Sequence, residues 1–561
     1  MRVDGKQEGP RQSMAWLHTW ASLILGWLLY AIFVTGTLSF FQSEISVWMK
    51  PEFHQSVPPS SQLAQTQVAL NYLKEHHPDA SSWTIQLPNA RQNTTFLNVR
   101  SQGENPNARR GGTRINIDSA TGEVLEPRAT RGGSFLYRFH FDLYGMPRVW
   151  ARWIVGLATM FMLVAIISGI ITHKKIFKDF FTFRTAKGQR SWLDAHNATA
   201  VFALPFHIMI TFSGLLLLMF TIMPWGVNQA YENRGQFLQD QRKSLIEQNQ
   251  DETEPKKARP EHGKMMAMQE GRGRKKMQEQ HPASLADFAP IFAQAEREWK
   301  NNPVGSISII KPNTDKARIE LTALNGVSVA YRYLHPSLEF NGVTGKLSPD
   351  QSALKTPSTA TGIYNIITSL HEARGVDLAL RWLLFLSGIL GTLMVATGLI
   401  LWCVKRAPQQ QKQGYKSFGY RTVEVLNITA VIGLPLACAA YFYANRLLPV
   451  ELDLRAQWEI RSFFSMWLLT FFYALIRTHR SAWLELLAFA SLVFALLPIL
   501  NFMTGGQAIW NTIAQGQWVI ASFDLAMWLF ALIFYFAFKR VKNHKGLPAK
   551  KLKNSPVENE S

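Results

Sequence analysis

Cysteine is nearly missing from this chain. Cys403 and Cys438 are the only two in 561 residues, and both fall in or beside apolar runs. This excludes a disulfide framework, a C-x-x-C zinc site and the C-x-x-C-H signature of covalently attached haem. Charge is scarce as well: Asp, Glu, Lys and Arg make up 17% of the residues against 47% apolar ones, which is low for a soluble chain. No G-x-G-x-x-G, Walker or flavin-binding signature occurs, so no Rossmann module for NAD(P)H is expected. No serine or cysteine nucleophile constellation is present either, which argues against hydrolysis.

What the chain has instead is apolar length. Eight runs are long enough to span a bilayer core of ~30 Å: roughly 15–41, 150–173, 195–224, 380–404, 422–445, 459–477, 482–502 and 518–538. The first reads as a span rather than a cleavable signal, because it is too long, has no small-residue cleavage site behind it and carries His18. The net charge of +20 does not indicate nucleic acid. Basic residues gather before the first run, between runs two and three (Lys174 to Arg190), four and five (Lys405 to Lys416), six and seven (Arg477, Arg480), and after the last. All five clusters lie on one side if the N-terminus is cytoplasmic, as the positive-inside rule expects. The long segments 43–148 and 225–378 then lie outside.

The first 400 residues read as one unit written twice. His18 precedes Gly36 by 18 residues, and His196 precedes Gly214 by 18. Arg138–Gly169 and Ser369–Gly398 match in the same way. The external segments match too. Each opens with a helical pattern, Leu63–His76 or Leu285–Trp299. Alternating strands follow, at Trp83–Leu87, Thr95–Val99 and Arg114–Ile117, and at Ser306–Ile310, Ala317–Leu321 and Ser328–Tyr333. Each closes on a Thr-Gly turn whose glycine suits positive φ. Two small α+β modules, one per copy, are therefore expected. The polar stretch from Gln239 to Gln280 reads as a linker.

Six histidines lie in or next to the first four spans: His18, His140, His173, His196, His207 and His371. Imidazole is the usual ligand of low-spin b-type haem, one on each face of the iron, and intramembrane ionisable groups are functional candidates by default. His196 and His207 are 11 residues apart, ~16 Å of rise and close to three turns, so one helix face carries both. If the copies face each other about an axis along the membrane normal, His18 pairs with His196 and His140 with His371, one pair near each membrane face. His173 and His207 break the symmetry, since Trp402 and Leu29 occupy the matching positions. Each could replace a symmetric member, so all six stand as candidate iron ligands, against the plainer reading of interfacial or carbonyl-bonded histidines. Arg152 and Arg381, at the outer edge, are candidates for pairing with haem propionates or an anionic ligand, with interfacial anchoring as the alternative. Asp194 is placed to orient His196. The aromatic-basic run 179–184 reads equally as a donor-docking site and as an interfacial segment. The Met/His stretch 262–281 suits Cu(I) by ligand type, but its irregular spacing and basic surroundings favour a linker.

The leucine-histidine pair near the start of the first span, the external module closing on D-x-x-T-G-E-V, and the leucine-histidine and arginine-tryptophan pairs before the next span resemble the PepSY-associated transmembrane family. The block 168–215 is similar to the iron-regulated membrane proteins that include ferric-siderophore reductases of the FoxB type. The resemblance covers roughly 12–405; the four C-terminal spans lie outside it. It implies a di-haem protein of the bacterial inner (cytoplasmic) membrane that passes electrons to siderophore-bound Fe(III) in the periplasm.

The expected fold is an α-helical integral membrane protein of about eight spans with two small α+β PepSY-like periplasmic modules in an internal parallel repeat. The expected boundaries are 1–42, 43–148, 149–224, 225–378, 379–405, 406–540 and a cytoplasmic tail at 541–561. The expected cofactor is two non-covalent haem b groups. The expected partners are the lipid bilayer, a ferric siderophore or other Fe(III) chelate, and a separate donor, either a cytoplasmic reductase or quinol; nucleic acid is not among them. Two other classes stay open from sequence: a non-enzymatic binding or regulatory membrane protein, and a transporter of iron or copper complexes, for which Glu424, Glu459, Glu485 and Asp524 in the C-terminal spans would be the pointers.

Overall fold

A computed structural model of the chain describes residues 9–104, 111–173, 184, 188–247, 281–332, 334–349, 351 and 353–544. Residues 179–183 of the aromatic-basic run and 262–280 of the Met/His stretch lie outside the described residues. The fold divides into two units. One comprises Met1–Pro51, Arg128–Ile222 and Arg381–Ser561, the other Glu52–Pro127 and Met223–Leu380.

The first unit carries the apolar helices. Among the described residues seven helices are long and apolar enough to cross a membrane, or eight if a bent pair counts as one span. That pair is Pro10–Ile24 and Gly26–Ser39, which meet at 64°. The expected first span is therefore broken, at Leu25. The third is broken as well, into Gln189–Phe202 and Leu204–Ile222. Pro205 explains the second break: proline has no N–H to bond the turn before it and disfavours helical backbone in the preceding residue. The C-terminal spans are Phe418–Leu447, Arg455–Ile476, His479–Met503 and Trp518–Asn543. Within the first of them Thr429–Gly433 is a π-turn. Pro435 follows it and cannot bond the Val431 carbonyl four residues back. The Tyr30 hydroxyl donates to that carbonyl instead, at 3.2 Å.

The second unit is built on an antiparallel sheet. Its strands, in chain order, are β1 (Ser82–Gln86), β2 (Thr95–Arg100), β3 (Thr113–Ile117), β4 (Val124–Leu125), β5 (Ile246–Glu247), β6 (Val304–Ile310), β7 (Arg318–Ala323), β8 (Ser337–Asn341) and β9 (Ala353–Leu354). Seven of them form one sheet in the order β4-β3-β2-β1-β6-β7-β8, while β5 and β9 pair separately. The two expected modules are thus fused. β1 pairs antiparallel with β6 from Ser82↔Ile310 to Gln86↔Ser306, which satisfies a strand edge that each half would otherwise expose.

Alternation gives the sheet one apolar face. Val99, Trp83, Ile309, Ile319 and Phe340 form one row across five strands, and Leu97, Ile85, Ile307, Leu321 and Leu338 form the next. The helices Gln62–His76 and Phe288–Trp299 contribute Leu70, Leu73, Ile291 and Ala295 to the same core. Both Thr-Gly turns form as expected: Gly122 has φ 82° and Gly345 φ 68°. In each, a side-chain oxygen, that of Asp118 or Asn341, accepts from the next two available backbone N–H groups. The strand expected at Ser328–Tyr333 is not formed; Val329–Tyr331 is a 3-10 turn and the third strand of that half is β8. Tyr333 itself lies outside the described residues.

Glu320 on β7 stands directly opposite Glu339 on β8, and like charges in that position repel. Partial burial, and then the Glu339 carboxylate, hold the Glu320 carboxyl above its ordinary range. A carboxyl raised in the folded state costs stability above its folded pKa, and the cost disappears as pH falls to the unfolded value. Glu320→Gln should therefore stabilise this unit by about 0.5 kcal/mol at pH 7 and leave it unchanged near pH 4. Hydrogen exchange of β7 in the full-length protein at the two pH values measures the difference.

Candidate functional site

Three of the six histidines share one local arrangement. The His18 Nδ1 lies 2.8 Å from the Ala165 carbonyl, the His196 Nδ1 2.9 Å from the Met394 carbonyl, and the His140 Nδ1 2.8 Å from the Ile32 carbonyl. A carbonyl only accepts, so Nδ1 carries the proton in each ring and Nε2 carries the lone pair. Each carbonyl belongs to the residue four before a helical glycine: Gly169, Gly398 and Gly36. At each of these glycines a Cβ would press on the bonded imidazole, coming within 3.2 Å of His18, 3.1 Å of His196 and 2.6 Å of His140. The glycine lets the ring lie against the helix and reach the carbonyl one turn back.

The first span takes part in two of these contacts, one with the second span Arg148–Thr172 and one with the short helix Gly133–Asp142. The first span carries His18 and Gly36, which face Gly169 and His140 respectively. The bend at Leu25 lies between the two contacts, with His18 on Pro10–Ile24 and Gly36 on Gly26–Ser39.

His18 and His196 come together, with ring centroids 6.3 Å apart and planes at 64°. Among the described residues neither ring makes a hydrogen bond through Nε2. Imidazole nitrogens bind first-row metals at about 2.0–2.1 Å, and each nitrogen sits roughly 1.1 Å from its ring centre. Two rings on opposite sides of one metal ion therefore have centroids a little over 6 Å apart, which is the separation found.

The other candidates differ. His207 is wholly buried, and neither ring nitrogen makes a hydrogen bond of ordinary geometry; the Ala200 backbone is the polar group whose influence reaches it. Its Nε2 lies beside Gly391, and the Phe33 ring meets it edge-on at 6.4 Å. His173 caps its span, and Asn197 Nδ2 donates to its Nε2 at 3.1 Å. His173 therefore bonds through Nε2 to a side chain and does not share the tethered arrangement of the other three. His371 belongs to the second unit, on the helix Thr359–Glu372.

The charged candidates are engaged by protein groups. Arg152 donates from Nε to Asp142 at 2.7 Å, which ties the span to the short helix Gly133–Asp142 that carries His140. Arg381 is buried, 3.9 Å from the Glu44 carboxylate. Asp194 does not orient His196. It accepts two hydrogen bonds from the Arg184 guanidinium, both at 3.0 Å, because a fork of donors outcompetes an imidazole for a carboxylate. The backbone carbonyls took the orienting role instead.

The described residues thus define a multi-pass membrane protein with histidines tethered at helix crossings and a separate α/β unit built on one antiparallel sheet. No curated protein matches the chain. Its residues 15–405 match the family model described as the PepSY-associated TM region, and the chain belongs to that family.

Gly36→Ala should cost about 1–3 kcal/mol by overpacking the His140 ring. Gly419→Ala, where a Cβ meets nothing within 4 Å, should instead stabilise by about 0.5–1 kcal/mol through helix propensity. Thermal unfolding of the two variants in the same detergent checks the contrast.

Proposed function

We propose that this protein is a di-haem b electron carrier of the bacterial inner membrane, with its α/β unit in the periplasm, and that it reduces an Fe(III) chelate such as a ferric siderophore. The observation that carries the reading is the approach of His18 and His196, each held by Nδ1 on a backbone carbonyl with Nε2 left as the basic nitrogen. Ligating histidines are commonly fixed in this way, by a hydrogen bond from the other ring nitrogen. His18 and His196 hold one haem, and His140 and His207 are the candidates in the membrane unit for the second. The two halves of the first 400 residues are copies of one unit, so one site serves each membrane face. The bound haem supplies a one-electron couple whose potential is set by axial ligand, hydrogen bonding and burial.

The residues do the rest. The tethers fix tautomer and ring orientation, Gly169 and Gly398 allow the close approach, and the surrounding apolar helices exclude water. The electron arrives from a cytoplasmic reductase or quinol. On the periplasmic side one electron converts chelated Fe(III) to Fe(II), which siderophores hold far less well. Transport is disfavoured by the partners of the buried carboxylates: Glu459 is bonded to Arg455, Asn445 and Thr130, and Asp524 to Trp48 and Asn501.

A dithionite-reduced minus oxidised spectrum with pyridine haemochrome quantitation should give close to two b-type haems per chain. His18→Ala and His196→Ala should each remove the same one. Adding a ferric hydroxamate should reoxidise the reduced protein. A colourless protein from haem-replete cells sinks the reading and favours a binding or regulatory role.

A further inference from the structure

We propose that the four C-terminal helices are a positioning scaffold for His140, acting through the ties of Thr130 to Glu459 and of Gly132 to Tyr441. The inference rests on the electron-carrier reading only for the role of His140 as a ligand.

His140 sits on the ten-residue helix Gly133–Asp142, too short to be stable by itself. Its first N–H, that of Gly133, donates to the Ser46 hydroxyl at 3.0 Å, and Gly132 enters it at φ 53°. The segment just before it is held residue by residue. Arg128 donates to the Asn445 carbonyl at 2.9 Å, and Arg455 to the Ala129 carbonyl at 3.1 Å. The Thr130 hydroxyl donates to Glu459 Oε2 at 2.6 Å, and the Tyr441 hydroxyl to the Gly132 carbonyl at 3.0 Å. Every partner in this set lies on the C-terminal helices.

Glu459 is the hub. Its Oε1 accepts from Arg455 at 2.5 Å and from Asn445 at 2.8 Å, and both Glu459 and Arg455 are inaccessible to solvent. An ion pair of this kind is costly to bury in a membrane protein, and pairing with several hydrogen bonds is what makes it tolerable. Past the helix start, Phe135 and Phe139, one turn apart, stand edge-on to Phe463 at 5.2 and 5.8 Å. On another side of the helix the His140 Nδ1 reaches the Ile32 carbonyl. The short helix is thus held by the C-terminal helices on one side and, on others, by the first span, by Ser46 and by Arg152 of the second span. The family match stops at residue 405, so Tyr441, Arg455, Glu459 and Phe463 lie outside the matched region. That gives the additional spans a task in this chain: Thr130, Tyr441 and Glu459 are positioning residues for a histidine they do not touch.

The test uses full-length protein in detergent. Thr130→Val combined with Tyr441→Phe removes both ties and leaves the Arg455–Glu459 pair intact; Thr130→Ser is the conservative control. Hydrogen exchange should speed up at least tenfold in Gly133–Asp142 and stay unchanged in Pro10–Ile24. One of the two haems should fall to half occupancy or less, or change its spectrum, while the His18/His196 haem stays full. Thr130→Ser should keep wild-type exchange and both haems. Unchanged exchange overturns the proposal, as does faster exchange with both haems intact, or loss of both haems together. A wild-type protein without haem removes the electron-carrier reading, and exchange in the short helix then decides the scaffold role alone.

Discussion

The hydrogen bond from an imidazole Nδ1–H to a helix carbonyl one turn before a glycine is the constraint on which the membrane unit depends. A ring nitrogen buried in a lipid-embedded helix bundle is costly without a partner, and helix carbonyls are already bonded along their own helix. Each carbonyl oxygen keeps a second lone pair, but the side chain one turn further on normally shields it. With glycine there, the shield is gone. The glycine at 169, 398 or 36 and the carbonyl at 165, 394 or 32 therefore act as one device. It fixes the tautomer, the ring orientation and the distance between two helices at the same point. The first span uses it twice, by His18 on the second span and by Gly36 under the His140 ring of the short helix.

This explains which part of the site was legible in the sequence. Histidines and glycines at constant intervals are visible in the sequence as a pattern. Which glycine faces which histidine is a tertiary fact, and periodicity within one helix contains no trace of it. The approach of His18 to His196 is the one expected from their matching intervals to Gly36 and Gly214. The engagement of His173 by Asn197 is not expected from any interval, because Asn197 is one polar residue among several at that turn. Asp194 misled for a related reason. Two residues from a histidine it reads as an orienting carboxylate, yet residue 184, in a loop with no regular pattern, brings it a guanidinium fork.

The α/β unit shows the same limit. Alternation placed five of the six main strands within about two residues, since each must show one face to a core. It could not show that β1 and β6 would pair, because a strand edge offers the same backbone groups to any partner. Ser328–Tyr333 failed as a strand because Val327 and Val329 mimic alternation, whereas Leu338 and Phe340 are the residues that complete the two apolar rows.

Desolvation ties the C-terminal helices to the rest of this unit. Glu459, Arg455 and Asp524 are charged groups in apolar helices, a pattern that by itself suggests a transport path. In the fold they are spent on partners: Glu459 and Arg455 on the segment before His140, and Asp524 on the Trp48 indole, whose backbone carbonyl also accepts from Arg446. Even the carbonyl released by Pro435 is taken up by Tyr30. His207 is enclosed by Phe33, Phe206 and the Gly391 backbone, and the fold gives its ring nitrogens no hydrogen bond of ordinary geometry. The apolar residues around that ring keep it from solvent.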